Sequence, residues 1–353
     1  MKERTTGSPR RVTIKDIAQT LGISHATVSR ALRDSPQISG STKDRIREAA
    51  AEMGYAPDTA ARVMRGEDSN LVGFILPDVQ NHFYSAMAKA LAETVSAQGL
   101  QLVLAISEDD PEEEHRQVLE LSRARARGIV ITPVENLMPE TSVLLANMRA
   151  VQLVRSHPDV NADLVAAQDA DATYLSTRHL LSLGHRHVAY LGGGAETLST
   201  GTSRLEGYLR AIAETENARS LSRLIPPRPA NAYVAAKELL GTADPPTALV
   251  IGSSQIALGV LQVIQEFGLS APEDISLVSY DDPDWHRLWG RGLTTIELPI
   301  REMAKFAAQM ICTSDSTIPQ HITVQREQLA TGNKYLFPVE LLERGSCGPP
   351  RQS

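Results

Sequence analysis

The sequence predicts an all-α head of three helices and a hinge helix, joined to an α/β body of two doubly wound parallel-sheet subdomains. Three observations carry this expectation. Apolar residues recur at helical spacing from Val12 to about Tyr55, with Gly22 and Gly54 as breaks. From Leu71 onward, apolar runs alternate with amphipathic segments, the pattern of a parallel sheet covered on both faces. Charge divides the chain at the same place: residues 1–66 hold twelve Lys and Arg against seven Asp and Glu, so they carry +5 and the remainder −12 within a total of −7.

In the head, Ile14, Ile17, Ala18 and Leu21 share one helical face, and Gly22 offers a turn conformation that other residues resist. Ser24 is the N-cap of a second helix whose inward positions are Val28 and Leu32. Ser39 caps a third, with Ile46, Ala50 and Met53 inward. The expected division is a disordered tail at 1–10, a head at 11–57, a hinge at 58–69, a body at 70–344 and a disordered Pro/Gly-rich tail at 345–353. The hinge, "DTAARVMRGEDSN", is polar and too short to repay helix nucleation alone.

In the body, strands are expected at "LVGFILPD", 101–106, 128–132, 151–154, 188–191, 248–251 and 275–280. Helices are expected at 83–98, 111–125, 138–147, 172–182, 203–214, 230–240, 255–267 and 300–311, with Gly99, Gly184 and Gly268 ending three of them. A body of this length exceeds one five- or six-stranded sheet, so two subdomains with a cleft between them are expected.

Two cysteines far apart, Cys312 and Cys347, argue for a reducing compartment without a disulfide framework. The N-terminal stretch lacks an apolar core, and no run approaches the roughly 20 apolar residues a membrane-spanning helix needs. A cytoplasmic protein is the expectation, with no membrane partner.

Two helices joined by a short Gly-containing turn form a helix-turn-helix. Ala18 must be small for the helices to cross closely, and Gly22 must turn. The second helix must then present short polar and basic groups to the major groove. Ser24, His25, Ala26, Thr27, Ser29, Arg30 and Arg33 supply that face. Ser24, Thr27 and Ser29 also suit phosphates. A double-stranded DNA partner follows.

The stretches "VTIKDIAQTLGISHATVSRAL", "GYAPDTAARVMRG" and "LVGFILPDVQNHFYS" closely resemble the lactose-repressor (LacI/GalR) family of bacterial transcription factors. The resemblance continues through "HLLSLGHRHVAYLGG", "RLEGYLRAI", "EFGLSAPEDISLVSYDD", "LTTI" and "VELLERGSC", nearly the whole chain in the family's order. It implies a homodimeric repressor with a body like the periplasmic sugar-binding proteins. Two heads would read a palindromic operator, controlled by a sugar, polyol or sugar acid in the cleft. It adds Lys15 to the DNA contacts and makes His25 and Ala26 the positions that choose the operator. In the hinge, Arg62 is a phosphate contact. Met64 stands where relatives carry the Leu that wedges into the minor groove, a role Met can also serve.

For the cleft, the resemblance implies Phe83 and Tyr84 as an apolar wall, Arg204 as the effector-gripping cation and Asp281 as an acceptor for hydroxyls. Arg155, near the end of a first-subdomain strand, belongs to the same neighbourhood. The chain departs from the family at His82 (usually Pro), Gln168-Asp169 (usually Asp-Asn), Ala172 (usually Gly) and Ser253-Ser254 (usually Asn-Asp), Ser254 being the cleft residue of that pair. Loss of one acid beside two arginines leans toward an acidic ligand.

No enzyme is expected. "GGGAET" at 192–197 lacks the G-x-G-x-x-G spacing, and no nucleophile–base set is present. No cofactor or metal is expected either: His185 and His187 lack nearby Cys or an acid pair, and turn and surface roles suffice for them. The alternative reading is a soluble carbohydrate-binding receptor or carbohydrate-active α/β enzyme.

Overall fold

A computed structural model describes residues 12–32, 34–55, 69–194, 199–313, 324–329 and 332–351. They fall into two compact units, one on each side of residues 67 and 68.

The first unit holds α1 (Ile14–Leu21), α2 (His25–Leu32) and α3 (Gly40–Glu52). Thr13 and Asp16 cap α1 reciprocally, each side chain taking the other's amide. Gly22 ends α1 at φ 64°, and its amide bonds back to Ala18 and Gln19. The hydroxyl of Ser24 accepts from the Thr27 amide at 3.1 Å, the N-cap expected for α2. Ser39 caps α3 through the Thr42 amide. Ile17, Ala18, Val28, Ala31, Ile46, Ala49 and Ala50 form the buried core. This is a small core for three helices.

The second unit contains two sheets. The first is formed by β1 (Leu71–Leu76), β2 (Gln101–Ile106), β3 (Gly128–Ile131), β4 (Ala150–Leu153), β5 (Asp163–Ala167), β11 (Gln325–Leu329) and β12 (Gly332–Phe337), in the order β11-β12-β5-β4-β3-β1-β2. Flanking it are α4 (His82–Ala97), α5 (Pro111–Arg123), α6 (Pro139–Ala146) and α11 (Ile300–Cys312). The second sheet is formed by β6 (His187–Gly193), β7 (Arg219–Ile225), β8 (Ala248–Ile251), β9 (Ser276–Tyr280), β10 (Thr294–Glu297) and β13 (Glu340–Leu342), in the order β13-β10-β9-β8-β6-β7. It is flanked by α7 (Asp169–Ser182), α8 (Ser199–Ala213), α9 (Pro229–Leu240) and α10 (Ser254–Glu266). Separate apolar clusters fill both faces of each sheet. The chain passes between the subdomains three times, after β5, β10 and β12.

Two expectations need correction. The sheets are not wholly parallel, because β11 and β13 run antiparallel to their neighbours. Residues 345–351 are not a disordered tail either. The Ser346 hydroxyl donates to Leu277 O at 2.6 Å, the Gly348 amide donates to Ser276 Oγ at 3.0 Å, and Gly348 O meets His185 Nε2 at 2.9 Å. A Pro/Gly-rich stretch has few groups for a core of its own, but its backbone polar groups find partners along β9.

Candidate functional site

On the head, Lys15, Ser24, His25, Ala26 and Arg30 are exposed, while Thr27 and Ser29 are half-buried. Val28 and Ala31 turn into the core, so the opposite side of α2 presents the residues expected to meet a groove. Asp34, at φ 58°, pairs with Lys43 at 2.9 Å and Arg47 at 3.0 Å, fixing the turn from α2 toward α3. Arg33, Arg62 and Met64 lie outside the described residues.

In the body, all six cleft residues expected from the sequence line one cavity of about 600 Å³, its open mouth included. Phe83 and Tyr84 open α4, their rings edge-to-face at 5.2 Å. The Asn81 side chain accepts from the Phe83 amide and fixes where this helix starts. Arg155 follows β4, Arg204 projects from α8, Ser254 begins α10 and Asp281 ends β9. The cavity therefore sits beyond the C-terminal ends of strands in both sheets, where α/β folds place ligands. Two of its residues, Val154 at φ 73° and Asp281 at φ 70°, hold left-handed backbone without being glycine. Strain of this kind concentrates at functional sites.

The charges are arranged in pairs. Arg204 Nε donates to Asp169 Oδ1 at 2.8 Å and Nη1 to Gly252 O at 2.9 Å, with the guanidinium 3.9 Å over the Tyr280 ring. Tyr280 also donates its hydroxyl to Asp169. Burial works against the Arg204 charge, but Asp169, Tyr280 and Tyr190 outweigh it and raise its pKa. Burial pushes the Tyr280 hydroxyl well above the usual range. Gly207 makes this arrangement possible: a Cβ there would lie 1.9 Å from Ala170 O, so only glycine lets α8 cross α7 this closely. Thr173 Oγ1 then donates to Arg204 O at 2.7 Å.

Arg155 is buried and donates to Asp109 Oδ1 at 2.5 Å. Asp281 differs from both arginines. It is 4% exposed, and its carboxylate accepts from the Asp282 amide at 2.8 Å and from Ser254 Oγ at 3.4 Å. No cation pairs with it among the described residues. Burial pushes its carboxyl up to about 6, against the Asp282 amide and His82. The adjacent Asp282 is bound instead by Arg344 at 2.7 Å and Arg287 at 3.0 Å.

Residues 13–58 match the bacterial regulatory proteins of the lacI family, and residues 177–347 match the periplasmic binding protein-like domain. The HTH-type transcriptional regulator GalR of Escherichia coli (strain K12) is 30% identical over 304 residues, spanning 84% of this chain and 88% of GalR. The chain belongs to the lacI family of bacterial regulatory proteins. DegA of Bacillus subtilis (strain 168), another HTH-type transcriptional regulator, is 26% identical over 349 residues, 96% of this chain and 99% of DegA. A crystal structure of the Lac repressor dimer bound to operator and the anti-inducer ONPF has the same fold, with a TM-score of 0.78 at 24% identity over 96% of this chain and 100% of that one. As a lacI-family regulator, the protein is a DNA-binding transcription factor and not an enzyme.

Several features of this lacI-family site escaped the sequence. Asp169 and Tyr280 complete the Arg204 network, and Asn81, Gly193, Gly194, Thr200, Pro227 and Ser253 also line the cavity. Only "GGG" at 192–194 and the Tyr-Asp end of β9 gave a usable hint. The lean toward an acidic ligand loses its support, because both arginines are already paired, Arg204 with Asp169 and Arg155 with Asp109. His185 is no surface residue: it is 1% exposed and bonds Thr247, Ser276 and Gly348. Among the described residues no group of three His, Cys, Asp or Glu is placed to hold a metal, and no helix is long and apolar enough to cross a membrane.

Proposed function

We propose that the protein is a homodimeric repressor that binds a palindromic operator in the bacterial cytoplasm and releases or grips it as a small ligand fills the cleft. The carrying observation is that all six cleft residues named from sequence meet in one cavity between the subdomains. On the head, His25 donates to a base edge and Ala26 packs against a thymine methyl, while Lys15, Ser24, Thr27, Ser29 and Arg30 position the helix. Arg33 is assigned to DNA from its place on the polar face read in the sequence, and Arg62 and Met64 by resemblance alone.

The ligand we propose is a sugar or polyol without negative charge. Asp281 accepts from its hydroxyls, Ser254 and Arg155 bond its rim, and Phe83 and Tyr84 cover its apolar face. A two-fold dimer presents two identical recognition helices to two half-sites. Exposed Leu104 and Ile106 on the edge strand β2, with Val79 nearby in sequence to β1, form the proposed two-fold contact, since an apolar edge strand otherwise invites uncontrolled pairing. Ligand binding across the cleft moves one subdomain against the other and so changes operator affinity.

A gel shift with DNA from upstream of the protein's own gene, run with and without candidate sugars, tests this. A sequence-specific shift altered by one of them is expected. Absence of any sequence-specific shift would sink the proposal.

A further inference from the structure

Arg155 from the first subdomain and Arg204 from the second both line the cavity, while the acids that neutralise them lie outside its lining. The two acids differ in exposure. The Asp169 side chain is 8% exposed, enclosed where α7 packs on α8, whereas that of Asp109 is 45% exposed. Asp109 therefore sets the charge balance of a buried cleft residue from the protein surface, where a substitution opens no core.

The turn after β2 is built to bring it there. Glu108 and Asp109 hold left-handed backbone in succession, at φ 53° and 59°. Such strain persists only where the surroundings impose it. The Ser107 and Glu108 amides bond Leu76 O and Pro77 O at 2.9 and 3.1 Å, and the Asp110 amide closes onto Ser107 O at 2.9 Å. Asp110 then caps α5 through the Glu112 amide at 2.8 Å. Between these anchors the Asp109 carboxylate meets Arg155 Nη1 at 2.5 Å. Six of the seven residues from 108 to 114 are acids, so an anion approaching from this side meets like charge. Glu114 is the other acid felt by Arg155. It is fully buried, and burial pushes its carboxyl up to about 7, so in mildly acidic solution it holds a proton and leaves the balance to Asp109.

We propose that Asp109 is a specificity-determining residue of the cleft: without touching the ligand, it neutralises Arg155 and so admits uncharged ligands while refusing anions. The proposal rests on the ligand-cleft reading above and names the residue that enforces its charge preference. A guanidinium has five N–H donors, and the Asp109 bond engages one of them, which leaves Arg155 able to donate to neutral hydroxyls. Freed of its acid, the same group is a fork shaped for an oxyanion.

The test uses sulfate as the probe and thermal melts of the full-length protein as the readout. It runs at about pH 6, where Glu114 is protonated, with ionic strength held constant by chloride so that screening is equal throughout. Asp109→Asn removes the charge but keeps an acceptor and a side chain that tolerates left-handed backbone. This variant should bind sulfate about tenfold more tightly than wild type, reaching the same melting shift at about tenfold lower sulfate. Asp109→Glu, which keeps the charge, should respond to sulfate as wild type does. Arg155→Gln in the Asp109→Asn background should abolish the gain. A merely structural Asp109 would lower the melting temperature of Asp109→Asn equally at every sulfate concentration, and that result overturns the proposal. A sulfate gain that survives Arg155→Gln, or that appears in Asp109→Glu, overturns it too. Should the double variant fail to fold, the contrast between Asn and Glu at position 109 decides. The gel shift with candidate sugars judges the ligand reading separately: a protein that answers to no sugar, yet gains sulfate in Asp109→Asn, defeats that reading and keeps the Asp109 assignment.

Discussion

Arg204 and Asp169 sit on adjacent helices and form a buried ion pair in the cleft wall that is also roofed by an aromatic ring. Their 2.8 Å contact takes the cation that a negatively charged ligand would need. Among the described residues, the charged group lining the cavity without an ion-pair partner is Asp281, so the cleft attracts donors and repels anions.

Replacing Asp169 by Ala should therefore cost about 3–5 kcal/mol, because Arg204 stays buried without its partner. Asp169→Asn keeps an acceptor and should cost less. In thermal melts, sulfate should stabilise Asp169→Asn more than wild type, as the freed guanidinium becomes an anion site. Equal responses to sulfate would show that Asp169 does not set the charge preference.

Glu114 gives a pH dependence. Its Oε2 accepts from the Val134 amide at 3.0 Å while Oε1 has no partner among the described residues. Burial pushes the carboxyl up to about 7, with the Val134 amide opposing and Asp109 adding. The folded protein thus keeps a proton that the unfolded chain has lost above about 4.5. Stability from this group is full below pH 4.5 and declines as pH rises to 7. Glu114→Gln should match wild type at low pH and exceed it above pH 7 by up to about 3 kcal/mol in urea unfolding. A variant with the same pH profile as wild type contradicts this assignment.

Gly22 tests the turn of the head. Its φ of 64° suits glycine, and a Cβ there would meet nothing within 4 Å, so the cost is backbone strain alone. Gly22→Ala should destabilise the head by about 1 kcal/mol, and the β-branched Gly22→Val by more. Both should weaken DNA binding without changing ligand-induced melting shifts.

Deleting residues 345–353 should lower stability by several kcal/mol. The loss removes the Ser346, Gly348 and Cys347 bonds to β9 and leaves buried His185 short of an acceptor. Unchanged urea unfolding would return this segment to the status of a free tail.

Exchanging His25 and Ala26 for other residues should change which operator is selected from a random pool, with little effect on salt-dependent binding to unrelated DNA. Selection of the same sequence by such variants would move operator choice elsewhere on α2.

The head was legible almost residue by residue, since caps, turn and core all lie within short sequence windows. Buried strands were legible too, because both faces being covered makes them continuous apolar runs. β7, "RSLSRLI", was missed because it is an edge strand with exposed positions along its length. β5, "DLVAA", was missed because its two Ala residues are poor strand formers, and β10 to β13 because polar residues interrupt their apolar runs. In the cleft, motif positions located five of the six lining residues, and Arg155 came from its place near the end of a strand. The bond from Tyr280 to Asp169 spans 111 positions and leaves no local trace, so the charge balance of the site emerged only from the fold.

The threefold passage between subdomains also orders events at the ribosome. The head is complete once residue 55 has emerged, whereas the first sheet waits for β11 and β12 and the second for β13, at residues 325–342. A nascent or prematurely terminated chain can thus own a finished DNA reader long before it owns a ligand sensor. Quality control of incomplete chains therefore matters more for this architecture than for a regulator whose sensor folds first.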